Sequence, residues 1–172
     1  KKVIEELFDK LTQYKLRSKI DILNLSNEFV VAAISIEKFL SFDGSKNSKG
    51  NTIKYRSDPI FLDPRNSNLG ARMIINIEKL YLSIKKLNLK SSNTKEYYEH
   101  AFNLGIPQIN TKMLQDKIFG IECNFDELNA IDFKKGCYVG QENTARIKLK
   151  NKQSKKLFPI KILNGAIKVD EE

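Results

Sequence analysis

The order of the apolar patterns along the chain constrains its fold most strongly, because helical and strand periodicities alternate without a regular βαβ spacing. Apolar residues recur at helical spacing over residues 2–14. Two β-rich runs follow, Ile20–Leu25 and Phe29–Ile36, and the short polar break between them predicts a hairpin. Further short strands are predicted at Ile53–Tyr55 and Ile60–Leu62. This alternation predicts an α+β fold rather than a doubly wound parallel sheet.

The second half of the chain continues the same alternation. A strand is predicted at Ala71–Ile75, and a helix with apolar residues at helical spacing is predicted over 77–87. Another helix is predicted between the capping residue Asn93 and the terminating Gly105. The patterns also predict a helix over 141–150 and a final strand at Leu157–Leu163.

One stretch carries the clearest chemical pattern, a thiol between two glycines that follows two lysines and precedes a Gln-Glu pair. It consists of Lys134, Lys135, Gly136, Cys137, Tyr138, Val139, Gly140, Gln141 and Glu142. The predicted helix start would place Cys137 just upstream of a helix N-terminus, where the dipole and unpaired N–H groups favour an anion. That position and the two lysines would lower the pKa of the thiol from its free value of about 8.5. The pattern therefore predicts a reactive cysteine, although a small buried cysteine in a tight turn fits the same spacing.

A second candidate site lies in the loop before the strand at 71–75. Asp63 and the proline after it start a turn, and Gly70 ends the loop. The spacing places the guanidinium groups of Arg65 and Arg72 near one strand end, where they could clamp a carboxylate bidentately. The alternative is that each arginine pairs with a local carboxylate, either Asp58 or Asp63.

The net charge of +9 would suit a nucleic acid, an acidic partner or an anionic ligand. Seven basic residues crowd into the sixteen positions after the cysteine motif: Arg146, Lys148, Lys150, Lys152, Lys155, Lys156 and Lys161. Because no aromatic residues or RNA-binding signature accompany them, a solvated basic face is favoured over direct RNA binding.

Composition also bears on the setting of the protein. No apolar run approaches the ~20 residues that a membrane-spanning helix needs, so no membrane association is expected. The two cysteines, Cys123 and Cys137, make no metal-ligand spacing, and no metal site is predicted. One disulfide between them is conceivable, but a reduced, cytoplasmic setting fits better.

The motifs together resemble those of the YgfZ-type folate-binding proteins, a family that includes a mitochondrial iron–sulfur assembly factor and resembles the aminomethyltransferase (T-protein) of glycine cleavage. The resemblance extends over about residues 1 to 160. The matching segments are Lys135–Glu142, Asp63–Arg65 with Leu69–Arg72, Leu104–Pro107, Asn124–Leu128 and Ala145–Arg146.

The resemblance implies a T-protein-like multidomain fold around a central cavity that binds tetrahydrofolate, leading into a C-terminal β-barrel. Residues 1–40 would end a first α+β domain, and residues 41–150 would form a second α+β domain with the cysteine motif. Residues 151–172 would begin the barrel. The chain would then be the middle of a longer protein.

The resemblance also assigns the site residues. Arg65, Arg72 and Glu122 are the implied folate contacts, and the carboxylate of Glu122 suits the N–H edge of a pterin, although a helix or turn cap is the alternative for this residue. Cys137 and Lys135 would form the reactive centre, surrounded by the other residues of the motif.

The implied function is that of an accessory protein that supports assembly or repair of iron–sulfur clusters, including those of enzymes that methylthiolate tRNA. Its partners would be such client enzymes or other assembly proteins. The alternative is a folate-dependent aminomethyltransferase, whose catalytic aspartate would lie before residue 1. A basic module that binds RNA is the third hypothesis.

Overall fold

One antiparallel sheet organises the part of the chain that the computed structural model describes, which is residues 2–107, 114, 117–149 and 155–165. The helices are α1 (Lys2–Lys15), α2 (Ile36–Leu40), α3 (Ile77–Lys86), α4 (Thr94–Asn103) and α5 (Gln141–Leu149). The strands are β1 (Phe29–Ile34), β2 (Thr52–Tyr55), β3 (Asp58–Leu62) and β4 (Ala71–Asn76). Short 3-10 turns occur at Ser67–Leu69 and Gly120–Cys123.

The sheet has four strands in the order β1-β4-β3-β2, and each neighbouring pair is antiparallel. Alternate residues point to opposite faces of a strand, so each apolar strand contributes one row of side chains to the core. The core of buried residues on one face comprises Ile34, Phe39, Ile60, Leu62, Ala71, Met73 and Ile75. The described part is thus an α+β arrangement, whereas the multidomain fold and the C-terminal barrel stay predictions.

A second, smaller core forms where α4 meets the segments on either side of it. It contains Leu69 from the first 3-10 turn, Ala101 and Ile106 from α4 and its exit, and Leu128. The loop from Leu62 in the first core to Leu69 in the second therefore runs between the two cores.

The helix predictions are confirmed over most of their length. α3 and α4 begin after Asn76 and Asn93, whose side chains accept hydrogen bonds from the backbone N–H groups of Glu78 and Lys95. The helix predicted over 141–150 is also present, as α5. α3 and α4 were predictable because apolar periodicity and a capping asparagine agree in each of them.

Two strand predictions are wrong. Residues 20–25 form no strand, and β1 instead pairs with β4 over six residues, from Phe29 opposite Asn76 to Ile34 opposite Ala71. The apolar run at 20–25 lies beside α1, where Ile22 and Leu23 border a groove that Phe8 also lines. Residues 157–163 form no strand within the described segment 155–165.

Strands on both sides of the predicted domain boundary at residue 40 belong to the same sheet. β1 precedes that boundary and β4 follows it, yet the two strands are paired in one sheet. Local apolar pattern gives no indication of such pairing, because the partner strand lies some forty residues away along the chain. The division into domains itself stays a prediction.

Gly70 is required by the close approach of two backbone segments. Its φ is +89°, and a Cβ at this position would lie 2.0 Å from the carbonyl oxygen of Ile34. The carbonyl oxygen of Gly70 also accepts a hydrogen bond of 2.8 Å from the backbone N–H of Asp63. Only glycine lets the chain enter β4 this close to the end of β1.

Substituting Gly70→Ala should lower the free energy of unfolding by about 3 kcal/mol or more, because the positive φ and the clash with the Ile34 carbonyl act together. Denaturant unfolding monitored by circular dichroism would measure the loss. Gly50→Ala is the matched control, since Gly50 has a φ of +79° with nothing within 4 Å of the added Cβ. Equal losses in the two variants would contradict the importance of the close approach.

Candidate functional site

The buried carboxylate of Asp63 brings the two predicted arginines together. Arg65 donates from Nε to Oδ1 at 3.0 Å and from Nη2 to Oδ2 at 2.8 Å, and its backbone N–H donates to Oδ1 at 3.0 Å. Arg72 donates from Nε to Oδ2 at 2.8 Å. The structure thus confirms that the guanidinium groups converge, and it shows Asp63 as the local carboxylate with which both of them pair.

Tyr97 on α4 completes this arrangement, which we call the Asp63 cluster: Asp63, Arg65, Arg72 and Tyr97. The Tyr97 hydroxyl accepts hydrogen bonds from Nη2 of Arg65 at 3.0 Å and Nη2 of Arg72 at 3.3 Å. Tyr97 lies in the helix predicted between Asn93 and Gly105, but helical periodicity does not identify a hydrogen-bond partner.

Electrostatics in the cluster favour the ionised carboxylate. Burial alone would raise the pKa of Asp63, but the hydrogen bonds from Arg65 and Arg72 outweigh it, and the pKa of Asp63 lies below its ordinary value. The same hydrogen bond to Asp63 raises the pKa of Arg65. With two cations and one anion, the cluster carries a net charge of +1.

Glu122 is buried in the 3-10 turn at 120–123, where it acts as a cap. Its Oε2 accepts a hydrogen bond of 2.8 Å from the backbone N–H of Phe119. The structure therefore shows the capping role that was the alternative for this residue. The hydrogen bond from Phe119 uses Oε2 and does not involve Oε1 of Glu122. A contact between Glu122 and folate stays a prediction.

Asn124 is a structural residue to which the sequence assigned no role beyond its motif. It has a φ of +63°, and its Nδ2 donates to the carbonyl oxygens of Gly105 at 3.3 Å and Leu157 at 3.0 Å. The backbone N–H of Leu157 also donates to the carbonyl oxygen of Glu122. One turn thereby holds the exit of α4 and the segment around Leu157.

Cys137 is an exposed, free cysteine that precedes α5 by four residues. This exposure removes the alternative of a small buried cysteine, whereas the reactivity of the thiol stays a prediction. Beside it, Nζ of Lys135 lies 4.3 Å from the centroid of the Tyr138 ring. The backbone N–H of Tyr138 donates to Oε1 of Gln141, which ties the motif to the first turn of α5.

The motif glycines are not enclosed by the chain. A Cβ at Gly136 or Gly140 would meet nothing within 4 Å among the described residues, and only Gly140, with a φ of +81°, has a backbone that favours glycine. Val139 is fully exposed. In the described part of the chain, the loop around Cys137 is therefore exposed at its glycines, at Val139 and at the thiol.

Cys123 has a different environment. It is partly buried, and burial, together with the nearby charge of Glu122, raises the pKa of its thiol. A raised pKa lowers the fraction of nucleophilic thiolate near neutral pH.

Part of the predicted basic face is engaged by carboxylates. Lys148 pairs with Asp126 at 2.9 Å, and Lys156 pairs with Glu127. The lysines at 150 and 152 lie outside the described residues. The paired lysines serve local structure, and direct RNA binding gains no support from them.

Neither a metal centre nor a membrane span is found in the described part of the chain. Its His, Cys, Asp and Glu residues form no group of three or more that could hold a metal ion. None of its helices combines the length and apolarity needed to cross a bilayer.

Comparison with known proteins identifies the class of its relatives: they are iron–sulfur cluster assembly factors. No protein-family model matches the chain. A relative from Dictyostelium discoideum, named iron–sulfur cluster assembly factor IBA57 homolog, mitochondrial, is 32% identical over 160 residues, covering 92% of this chain and 38% of the relative. The IBA57 protein of Mus musculus is 26% identical over 162 residues, which cover 93% of this chain and 43% of the relative. The IBA57 protein of Homo sapiens is 29% identical over 102 residues, which cover 59% of this chain and 28% of the relative.

These relatives confirm the part of the sequence resemblance that concerns iron–sulfur cluster assembly. The narrower assignment to the YgfZ type stays a prediction, as do folate binding, tRNA modification and any link to glycine cleavage. The chain spans less than half the length of the three relatives. The predicted cytoplasmic setting is contradicted, because all three are named as mitochondrial proteins; reduced thiols alone do not distinguish between these compartments.

The Asp63 cluster predicts a specific dependence of stability on pH. Because the pKa of Asp63 is lower in the folded state, its stabilisation is present above the ordinary carboxyl pKa and is lost as the pH falls through the folded-state value. Asp63→Asn should cost about 3 kcal/mol of unfolding free energy at pH 7, since it leaves two guanidinium groups without their anion. The difference between variant and wild type should shrink below about pH 4. A constant difference from pH 7 down to pH 3 in denaturant titrations would contradict this account.

Timed alkylation of the native protein should modify Cys137 faster than Cys123, by about tenfold or more at pH 7. Cys137 is exposed, whereas Cys123 is partly covered and has a raised thiol pKa. Peptide mass spectrometry would give both rates. In denaturant the two rates should become similar, which serves as the control, and equal rates in the native protein between pH 6 and pH 9 would refute the prediction.

Proposed function

We propose that this chain is part of a folate-binding accessory protein that supports the assembly or repair of iron–sulfur clusters in mitochondria, with Cys137 as its reactive group. The relatives named as mitochondrial iron–sulfur cluster assembly factors support the process and the compartment. The exposed thiol of Cys137 is the observation that supports the chemistry.

The loop around Cys137 is suited to contact with another protein. Among the described residues, nothing lies within 4 Å of a Cβ built at Gly136 or Gly140, and Val139 is fully exposed, which leaves room for a partner surface near the thiol. A thiolate is both a nucleophile and a metal ligand. Lys134 and Lys135 add positive charge to the same loop.

A single cysteine does not hold a cluster alone, because iron–sulfur clusters generally take four thiolates. A cluster contact at Cys137 would therefore be shared with a partner or be transient. The proposed partners are iron–sulfur assembly proteins or client enzymes, including those that methylthiolate tRNA.

Tetrahydrofolate is the proposed small-molecule ligand. The net positive charge of the Asp63 cluster suits the anionic end of a folate, and the buried carboxylate of Glu122 suits the N–H edge of a pterin. Folate binding and the thiol are proposed as two separate sites of the same protein.

Replacing Cys137 by Ser in the full-length protein should lower cluster delivery to client enzymes by about tenfold or more, because a hydroxyl replaces both nucleophile and metal ligand. Client activity in cells that lack the wild-type protein would measure this. Cys123→Ser is the matched control and should leave client activity unchanged, and folate affinity should be the same in both variants. Full client activity with Cys137→Ser would disprove the thiol role. If the wild-type protein also catalysed aminomethyl transfer, the aminomethyltransferase hypothesis would replace the proposal.

A further inference from the structure

We infer that Lys148 is a positioning residue for Cys137, because it fixes the loop at residues 134–140, which we call the Cys137 loop. The ammonium group of Lys148 attaches both sides of this loop to the turn that contains Asp126. The inference rests on the proposed role of the Cys137 thiol, and it adds to that site a residue outside the cysteine motif.

The ammonium group of Lys148 contacts a carboxylate and an aromatic ring at the same time. Its Nζ lies 3.0 Å from Oδ1 and 2.9 Å from Oδ2 of Asp126. The same Nζ lies 3.6 Å from the centroid of the Phe133 ring. A cation this close to a ring is attracted by its negative face, so both contacts hold the same charge. Lys148 therefore links the carboxylate of Asp126 to the ring of Phe133.

The two contacts close the segment that carries Cys137 at its base. Phe133 immediately precedes the Cys137 loop, and Lys148 lies in the last turn of α5, the helix that follows the loop. The contact between Lys148 and Phe133 therefore brings the start of the loop and the end of the helix to one point. The placement of that point determines where the thiol is presented.

The turn that contains Asp126 is anchored to the rest of the described fold on both sides of this residue. Before it, Nδ2 of Asn124 donates hydrogen bonds to two backbone carbonyl oxygens. After it, Leu128 belongs to the second core, and Nδ2 of Asn129 donates to the carbonyl oxygen of Pro64 at 2.9 Å. The ammonium group is thus attached to a fixed part of the fold.

The Cys137 loop follows α5 as one unit. The backbone N–H of Tyr138 donates to Oε1 of Gln141 in the first turn of α5, and Nζ of Lys135 lies 4.3 Å from the centroid of the Tyr138 ring. α5 lies beside the turn at 120–123, but none of its described residues is buried. Since helices in proteins are fixed mainly by packing of an apolar face, the contacts of Lys148 supply a restraint that packing does not.

An effect on loop position differs from an effect on stability. The side chains of Lys148 and Asp126 are 42% and 40% exposed, and ion pairs this exposed add little to the free energy of unfolding. Loss of the pair should therefore change where the loop lies and leave the chain folded. Lys156 offers a matched comparison, because it pairs with the neighbouring carboxylate of Glu127, whereas the contact with the ring is made by Lys148.

The first measurement is the spectrum of a nitroxide attached to Cys137 in the full-length protein, with every other cysteine replaced by serine. Lys148→Gln removes the charge but keeps a polar side chain, and it should sharpen the spectral lines because the loop moves more freely. Lys148→Arg should keep the wild-type line shape, since a guanidinium group also pairs with a carboxylate and stacks on a ring. Lys156→Gln should keep it as well.

The second measurement is cluster delivery to client enzymes at increasing concentrations of the full-length protein with Cys137 intact. Lys148→Gln should raise the concentration for half-maximal delivery about fivefold and leave the maximal rate unchanged, because only molecules with a correctly placed thiol bind the client. Lys148→Arg and Lys156→Gln should behave as the wild type.

The outcomes separate positioning from stability and from the proposed function. An unchanged line shape in Lys148→Gln, or equal sharpening in Lys156→Gln, would refute the positioning role. A fall in the maximal rate alone would also refute it, as would a large loss of unfolding free energy in Lys148→Gln. If Cys137→Ser keeps full client activity, the proposed function fails, and the nitroxide spectra then decide whether Lys148 fixes the loop.

Discussion

The ionised carboxylate of Asp63 is the interaction on which the arrangement of the described fold depends. Its side chain holds Arg65 from its own loop and Arg72 from β4, and its backbone N–H donates to the carbonyl oxygen of Gly70. Through Tyr97 the same group reaches α4, which contributes to the second core. A buried anion is tolerated only when it is paired and hydrogen-bonded, so these segments must be placed together for the chain to fold.

This constraint produces two regions with opposite properties. Around the sheet, backbone approach is so close that Gly70 has no room for a side chain, and the donors are fixed by Asp63. Around Cys137, a Cβ built at Gly136 or Gly140 would meet no atom of the described residues within 4 Å. Fixed donors suit recognition of a small ligand, whereas an open loop with a thiol suits contact with another macromolecule. The proposed folate site and the proposed partner site therefore follow from different physical arrangements.

The sequence predicted the secondary-structure elements better than the contacts between them. Helices α3 and α4 were predictable because periodicity and local start signals agree. The convergence of Arg65 and Arg72 followed from their spacing around a single turn. The hairpin predicted between Ile20–Leu25 and Phe29–Ile36 was wrong, because a short apolar run such as Ile20–Leu25 can equally pack beside a helix. Tyr97 could not be foreseen as a member of the cluster, since its partners lie 25 and 32 positions away along the chain.

The two free cysteines lie in different environments. Cys123 adjoins Glu122, a carboxylate that the turn needs as a cap for the backbone N–H of Phe119. Burial of the turn, and then the charge of Glu122, raise the pKa of Cys123 and favour its neutral form. Cys137 lies instead in an exposed loop that carries Lys134 and Lys135, close to the first turn of α5. The geometry that stabilises the turn at 120–123 thus disfavours reaction at Cys123, whereas the reactivity of Cys137 stays a prediction.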